Sequence, residues 1–143
     1  MGSAMICPRC TAVFDGHKWY DDPEEHARLA RSSKAEVSLC PGDERLEKRR
    51  VDGIVKLRGE FLRRHKEEAI NLIRNVAEKH RLRNVAARLF EVKESVEGIT
   101  VETTEVTLAE KIGKEFEKAF SGVLNVKWLE GTEFVRVDWL RER

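Results

Sequence analysis

Hydrophobic and polar positions follow regular patterns along the chain from Val51 onward. Alternation with a period of two predicts strands with one buried face, and apolar residues at three- and four-residue steps predict helices. Strands are predicted at residues 54–58, 87–92, 99–103, 123–129 and 134–140, and helices at residues 61–80 and 107–120. Thr107 and Glu110 have the spacing of a capping box for the second helix, and Ser121-Gly122 is its predicted end.

This order of elements predicts an α+β domain. With right-handed crossovers it generates a ferredoxin-like split βαββαβ sheet in strand order 4-1-3-2, with an extra C-terminal edge strand outside the fourth. Both helices are predicted to cover one face of the sheet, and the side chains that point at them are Val55, Leu57, Ile99 and Val101. The opposite face is left to Lys56, Arg58, Thr100, Glu102, Lys127 and Arg136. The alternation of the last two strands predicts that Trp128 and Trp139 lie in the core.

The first third of the chain lacks this regularity and is punctuated by Pro and Gly. It predicts one short helix, which Asp22 caps and Pro23 begins. We therefore divide the chain into a Cys-knuckle, zinc-ribbon-like segment at residues 1–48 and a βαββαββ domain at residues 49–143. Residues 1–4 have the composition of a cloning remnant and are left out of the fold prediction.

The cysteines suggest a metal site. Cys7-Pro8-Arg9-Cys10 is a knuckle that aims two thiolates at one ion, and Cys40-Pro41-Gly42-Asp43 repeats the turn with Asp in the last position. Cys7, Cys10, Cys40 and Asp43 are the predicted ligands of a structural zinc ion, with His17 or His26 as the alternative fourth ligand. Two other interpretations stay open, an ordinary buried thiol at Cys40 and a knuckle that no longer holds metal. An odd number of cysteines argues against a disulfide framework.

Charge is unevenly distributed along the chain. The formal net charge is only +1, but residues 45–88 carry fourteen Lys and Arg against six Asp and Glu, between two acidic ends. Clustered cations favour phosphate binding. The predicted RNA-binding residues are Arg49, Arg50, Arg63, Arg64, Lys66, Arg81 and Arg83. The alternative is a solvated helix face that neighbouring glutamates partly neutralise.

The sequence has no phosphate loop, no nucleophile elbow and no metalloprotease helix motif, so we expect a protein that is not an enzyme and has no small-molecule substrate. No apolar run approaches the ~20 residues that a membrane span requires, and no signal pattern precedes the knuckle. A cytoplasmic protein without membrane partners is the expectation.

Several stretches carry a resemblance to a known family, namely 51–59, 68–75, 103–109 with Ile112-Gly113, and 134–139. They resemble a bacterial family of small, mostly uncharacterised zinc-ribbon proteins. They are more distantly similar to the N-terminal region of the archaeal and eukaryotic large-ribosomal-subunit nuclear-export adaptor (nonsense-mediated decay) family. The resemblance implies association with ribosomes or ribosomal RNA and supplies no catalytic residues. In the bacterial pattern the second knuckle ends in Cys, so Asp43 is a departure that bears on metal retention.

The predicted function is therefore non-catalytic RNA binding or ribosome association through the basic central region, with a structural metal knuckle. The alternative is a protein–protein adaptor or dimerisation module that does not bind nucleic acid. In that case the acidic C-terminal third of the chain would contact a protein partner.

Overall fold

The N-terminal segment forms a small sheet rather than the mostly irregular chain that was predicted. In the computed structural model, which describes residues 4–32 and 34–143, this sheet has the strand order β3-β2-β1-β4. The elements are β1 (Met5–Ile6), β2 (Ala12–Phe14), β3 (Trp19–Asp21), α1 (Pro23–Ala30), β4 (Glu36–Val37) and α2 (Pro41–Glu47). The strands have only two or three residues each, which is too short for alternation to show in the sequence. Residues 1–3 of the suggested cloning remnant lie outside the described residues.

Both helices of this segment begin at residues that the sequence marks. Asp22 caps α1 as predicted, because its side chain accepts a hydrogen bond from the backbone N–H of Glu25 at 3.0 Å. Helix α2 was not predicted. Cys40 is its N-cap residue, Pro41 is its first residue, and Arg49 ends it with a left-handed φ of 54°. The second Cys-Pro turn is therefore also the start of a helix.

The rest of the chain forms a five-stranded mixed sheet in the order β6-β7-β5-β9-β8. Its elements are β5 (Gly53–Arg58), α3 (Glu60–Arg64), α4 (Lys66–Arg83), β6 (Leu89–Glu94), β7 (Gly98–Thr103), α5 (Val106–Phe120), β8 (Val123–Leu129) and β9 (Phe134–Leu140). The single helix predicted at residues 61–80 is broken at His65 into α3 and α4. The molecule is thus an α+β protein with two mixed sheets and an N-terminal cysteine cluster.

The predicted position of the last strand is wrong. Strand β9 lies beside β5 and parallel to it, and β8 is the outer strand, so the two C-terminal strands are exchanged relative to the ferredoxin-like order. Burial gives the physical reason, since Val135, Val137 and Trp139 of β9 are all buried whereas β8 buries no residue fully. The strand with the larger apolar face takes the interior position, where it contacts neighbours on both sides.

The core lies between this sheet and helices α4 and α5. Val55, Leu57, Ile99 and Val101 are buried in it, as predicted, together with Ile73 and Phe116 and other residues of the two helices. The prediction for the tryptophans is half right. Trp139 is 1% exposed and packs edge-on against Phe116, but Trp128 is 49% exposed. Trp128 alternates with Leu124 and Val126, so it lies on the face of β8 that points towards the helices. It is near the hairpin end of the strand, however, where the helices no longer cover the sheet fully.

The cap of α5 also differs from the prediction. The N-cap residue is Glu105, not Thr107, and the Glu105 carboxylate accepts hydrogen bonds from the backbone N–H groups of Thr107 and Leu108 at 2.9 and 3.1 Å. The helix therefore begins two residues earlier than the Thr107–Glu110 pattern indicates. Acceptors at this position stabilise a helix by satisfying N–H groups that have no partner within it.

Substituting the true cap should therefore destabilise the protein. We expect Glu105→Ala to lower the free energy of unfolding by about 1 kcal/mol. Glu110→Ala, at the position that the capping-box pattern indicates, should change it by less than about 0.5 kcal/mol. Urea denaturation of both variants compares them directly. Equal losses, or a larger loss for Glu110→Ala, would contradict the assignment of the cap.

The two sheets meet at the loop between α4 and β6. Val85 of this loop is buried against Cys7, Ala12 and Cys40, and a Cβ atom at Gly42 would come within 2.3 Å of the Val85 carbonyl oxygen. Arg45 Nη1 donates a hydrogen bond to the Thr104 carbonyl oxygen at 2.7 Å. The cysteine segment thus packs against the loop before β6 and against the residue that follows β7, and the division of the chain at residue 48 stays a prediction.

Within the described residues, no helix combines the length and the apolar character that crossing a membrane requires.

Candidate metal centre

Three short stretches of backbone bring four possible metal ligands together. Cys7 directly follows β1, Cys10 lies in the turn before β2, Cys40 is the N-cap residue of α2, and Asp43 lies in the first turn of that helix. One ligand atom from each of these residues lies within 4.8 Å of those of the other three. The structure thus assembles the donor set that the paired Cys-Pro turns predicted. Cys7, Cys40 and Asp43 are buried and Cys10 is half-buried.

The distances within the cluster suit one tetrahedral ion. Asp43 Oδ2 lies 3.1 Å from Cys7 Sγ and 3.2 Å from Cys40 Sγ, and Cys10 Sγ lies 3.6 Å from Cys40 Sγ. Sulfur ligands about 2.3 Å from a tetrahedral zinc ion are about 3.8 Å apart, and sulfur–oxygen pairs are slightly closer. All three cysteines are free thiols. The donors therefore need only small adjustments to enclose an ion.

Backbone amides support each sulfur atom. The N–H groups of Cys40, Ala12 and Asp43 point at the Sγ atoms of Cys7, Cys10 and Cys40 respectively, with a nitrogen–sulfur distance of 3.4 Å in each case. Such amides stabilise negative charge on sulfur, which a thiolate acquires when it binds a metal. The turns thus provide both the ligands and part of the electrostatic environment that the ligands require.

Neither histidine takes the fourth position. His26 Nε2 lies 2.8 Å from the backbone carbonyl oxygen of Cys7, so its ring contacts the knuckle backbone instead of joining the donor set. His17 is exposed in the turn between β2 and β3, where its backbone N–H donates to Asp15. Asp43 is therefore the residue that completes the cluster among the described residues.

Arg88 is the neighbour of the cluster that the sequence did not indicate. It lies in the loop before β6, where its Nη2 atom is 3.4 Å from the Sγ atoms of both Cys10 and Cys40. Its Nη1 atom is 3.4 Å from Asp43 Oδ1, and its Nη2 atom is 3.5 Å from Asp43 Oδ2, the oxygen that also contacts Cys7 and Cys40. The Arg88 side chain is only 16% exposed. Arg88 therefore contacts both carboxylate oxygens of Asp43 as well as two of the three thiols.

The electrostatics of the cluster depend on this burial. Burial raises the pKa of the Cys10 and Cys40 thiols. Burial alone would also raise the pKa of Asp43, but hydrogen bonds from the thiols and the charge of Arg88 outweigh it and leave that pKa below its ordinary value. Burial opposes the charge of Arg88 as well, yet Asp43 and Cys10 keep the pKa of its guanidinium raised. The cluster thus combines an Arg88–Asp43 ion pair with the thiols of Cys10 and Cys40, whose neutral form burial favours.

The seven predicted RNA-binding residues differ in whether a carboxylate pairs with them. Four of them are in ion pairs, with distances of 3.1 Å for Arg50–Asp52, 3.6 Å for Arg63–Glu60, 3.7 Å for Lys66–Glu94 and 3.5 Å for Arg81–Asp21. Arg49, Arg64 and Arg83 have no ion pair among the described residues. Arg64 and Arg83 lie near opposite ends of the α3–α4 segment, and α4 alone is about 27 Å long.

The open face of the five-stranded sheet offers a more continuous group of cations. Lys56 and Arg58 on β5 and Arg136 on β9 all point away from the helices, as predicted. Asp138 lies among them, 3.3 Å from Arg58 and 3.0 Å from Arg136. Lys127 on β8 stands opposite Arg136, which extends the row of cations to the edge of the sheet.

Comparison with models of protein families found no match, and neither did comparison with curated proteins or with solved structures. The resemblance to the bacterial zinc-ribbon family therefore rests on the sequence stretches quoted for it and on the cysteine cluster.

Proposed function

We propose that Cys7, Cys10, Cys40 and Asp43 bind one Zn²⁺ ion. The observation that carries this proposal is the convergence of four donor atoms within 4.8 Å from two turns that are about thirty residues apart in the chain. Thiolate ligands favour Zn²⁺ over Mg²⁺ and Ca²⁺, which prefer oxygen. Zinc accepts a carboxylate oxygen as well, so the Asp in the second turn does not exclude it.

The role of this ion is structural. Protein side chains supply all four ligands, whereas catalytic zinc sites keep one position open for water or substrate. The ion would join the turn before β2 to the first turn of α2, and Arg88 would connect it to the second sheet. Its binding energy would then contribute to the stability of the N-terminal sheet.

Metal analysis tests this proposal. Protein purified without chelator should contain about one zinc ion per chain, and Co²⁺ in its place should show the absorption of a tetrahedral thiolate site. Cys10→Ser and Asp43→Ala should each lower the zinc content. Asp15→Asn, which changes a carboxylate of the same sheet outside the cluster, should not. A protein that takes up no metal from a zinc-containing buffer while its N-terminal sheet remains ordered would contradict the proposal.

We further propose that the protein binds RNA without catalysis, as a ribosome-associated protein. Two features support this, the excess of Lys and Arg in residues 45–88 and the cations on the open sheet face. Four of the seven arginines and lysines first predicted to bind RNA each have a carboxylate partner, whereas Arg58 and Arg136 share the one carboxylate of Asp138 and Lys56 has no ion pair among the described residues. We therefore place the phosphate contacts mainly on Lys56, Arg58 and Arg136.

Charge-reversal variants distinguish the open sheet face from the surface of α3 around Arg63 and Arg64. Lys56→Glu with Arg136→Glu should weaken binding to structured RNA and flatten its logarithmic salt dependence by about 0.7 to 0.9 for each phosphate that the protein no longer neutralises. Arg63→Glu with Arg64→Glu should have a smaller effect, because Glu60 pairs with Arg63 alone, whereas Arg136 shares Asp138 with Arg58 and lies beside Lys127 on the open sheet face. Lys114→Glu with Lys118→Glu, on the exposed side of α5, is the matched control. If none of the three pairs alters RNA binding, the adaptor function is favoured instead.

A further inference from the structure

The two edges of the five-stranded sheet differ in how well they are protected. Strand β6 at one edge has the sequence Leu-Phe-Glu-Val-Lys-Glu, with three charges and a register shift between Leu89 and Glu91. Charges and irregular pairing at an edge prevent it from adding another strand. Strand β8 at the other edge pairs in unbroken register with β9 along all seven residues and has one charged residue, Lys127. Its outer edge is thus regular and carries one protecting charge instead of three.

Exposed apolar side chains are concentrated at this β8 edge. Val123 is 69% exposed, Trp128 49% and Leu129 46%, and Leu140 of β9, which stands opposite Val123, is 43% exposed. These are four of the seven large exposed hydrophobic residues in the described chain. They lie on both faces of the strand, Val123 and Leu129 on the open face and Trp128 on the helix face. An edge that is apolar on both faces fits another strand better than it fits a helix or a loop.

We propose that β8 pairs with β8 of a second copy of the chain, antiparallel and centred on Val126. In this register Val123 lies opposite the second copy's Leu129, and Leu124 opposite its Trp128. Each exposed apolar side chain of the strand then faces another apolar side chain. Asn125 lies opposite the second copy's Lys127, so the two lysines do not oppose each other. The two sheets join into one of ten strands.

The alternative registers are less favourable. Directly opposed residues must lie on the same face of a sheet, so a symmetric pair is centred on a residue and the register changes in steps of two. Centring on Lys127 would place two lysines opposite each other, which is destabilising. Centring on Asn125 would leave Trp128 beyond the partner strand. In the Val126 register, Lys127 stands opposite the second copy's Asn125. Asp138 of that copy lies on the next strand beside Asn125, so a carboxylate is two strands away from Lys127.

The test is a pair of opposite charges at Asn125, measured by sedimentation equilibrium from micromolar to millimolar concentrations. We expect the wild-type protein to self-associate to a dimer. Asn125→Glu should lower the dissociation constant about three- to tenfold, because it creates two Glu–Lys pairs per dimer. Asn125→Lys should raise it by a similar factor through two Lys–Lys pairs. Asn125→Lys combined with Lys127→Glu should restore dimerisation.

Thr100 provides the control for these substitutions. Thr100→Glu and Thr100→Lys change the same open face on the inner strand β7 and should leave the dissociation constant unchanged. A protein that stays monomeric at millimolar concentration would overturn the proposal. So would a dimer that neither substitution at Asn125 affects, because its interface would lie elsewhere. If both substitutions weaken the dimer equally, Asn125 opposes itself and the Val126 register is wrong.

Discussion

Removing the proposed zinc ion should unfold the N-terminal sheet and leave the five-stranded sheet folded. In the described residues 4–32 and 34–47, the buried hydrophobic side chains are only those of Ile6, Cys7, Ala12, Val13 and Cys40, and two of these are proposed metal ligands. A segment of this size rarely folds on so small a core, and structural zinc supplies about 10–16 kcal/mol of binding free energy in small zinc domains. The larger core between the second sheet and its helices does not depend on the ion.

Hydrogen exchange with and without chelator measures this effect region by region. Amides of β1, β2 and α2 should lose protection when the metal is removed, whereas amides of β5, β7 and β9 should keep it. A variant with Cys7→Ser and Cys10→Ser should already show the unprotected pattern and should not respond to chelator. Unchanged protection of β1 and β2 in the chelated wild-type protein would mean that the N-terminal sheet folds without metal.

The sequence indicated most of the second sheet but not its strand order. Residues 123–129 and 134–140 were predicted with the observed bounds, because both strands alternate cleanly. The alternation does not show which of the two strands lies next to β5. Either strand of a hairpin can take the inner position in a sheet, and both strands here alternate in the same way. Only the combined burial of Val135, Val137 and Trp139 decides between them, and it depends on what α5 covers.

The N-terminal sheet escaped prediction for a different reason. Its strands are too short for periodicity, and they are held by the turns and by the cluster more than by a core of their own. The α5 cap escaped because the Thr107–Glu110 spacing fits a capping box, which would satisfy N–H groups two and three residues beyond Thr107, whereas Glu105 accepts from the N–H groups of Thr107 and Leu108. Local patterns identify a helix more reliably than they identify its first residue.

The candidate metal ligands could be predicted because each pair lies within four residues and has its own turn. The environment of the site could not, since Arg88 is 45 residues from Asp43 and reaches it only because the loop before β6 packs on α2. For the basic residues, clustering in the sequence indicated one or two phosphate-binding patches, and it did not reveal that carboxylates pair with several of them, as Glu60 does with Arg63 and Asp21 with Arg81.

Replacing Arg88 should therefore weaken the metal centre from outside the ligand set. With three thiolates, one carboxylate and Zn²⁺, the cluster carries a net charge of about −2, and Arg88 is the cation in contact with it. We expect Arg88→Met, which keeps much of the side-chain volume, to lower zinc affinity about 10- to 100-fold. It should also lower the free energy of unfolding by about 3 kcal/mol, because Asp43 loses its buried partner.

Competition with a chromophoric zinc chelator gives the affinity, and thermal denaturation gives the stability. Arg83→Met is the matched control, since Arg83 is exposed near the same end of α4 and has no ion pair among the described residues; it should change stability by less than about 0.5 kcal/mol. In an Asp43→Asn background the cost of Arg88→Met should shrink, because the carboxylate that Arg88 pairs with is already gone. A variant with wild-type zinc affinity would instead mean that Arg88 only fills space beside the cluster, and that its charge plays no part in holding the ion.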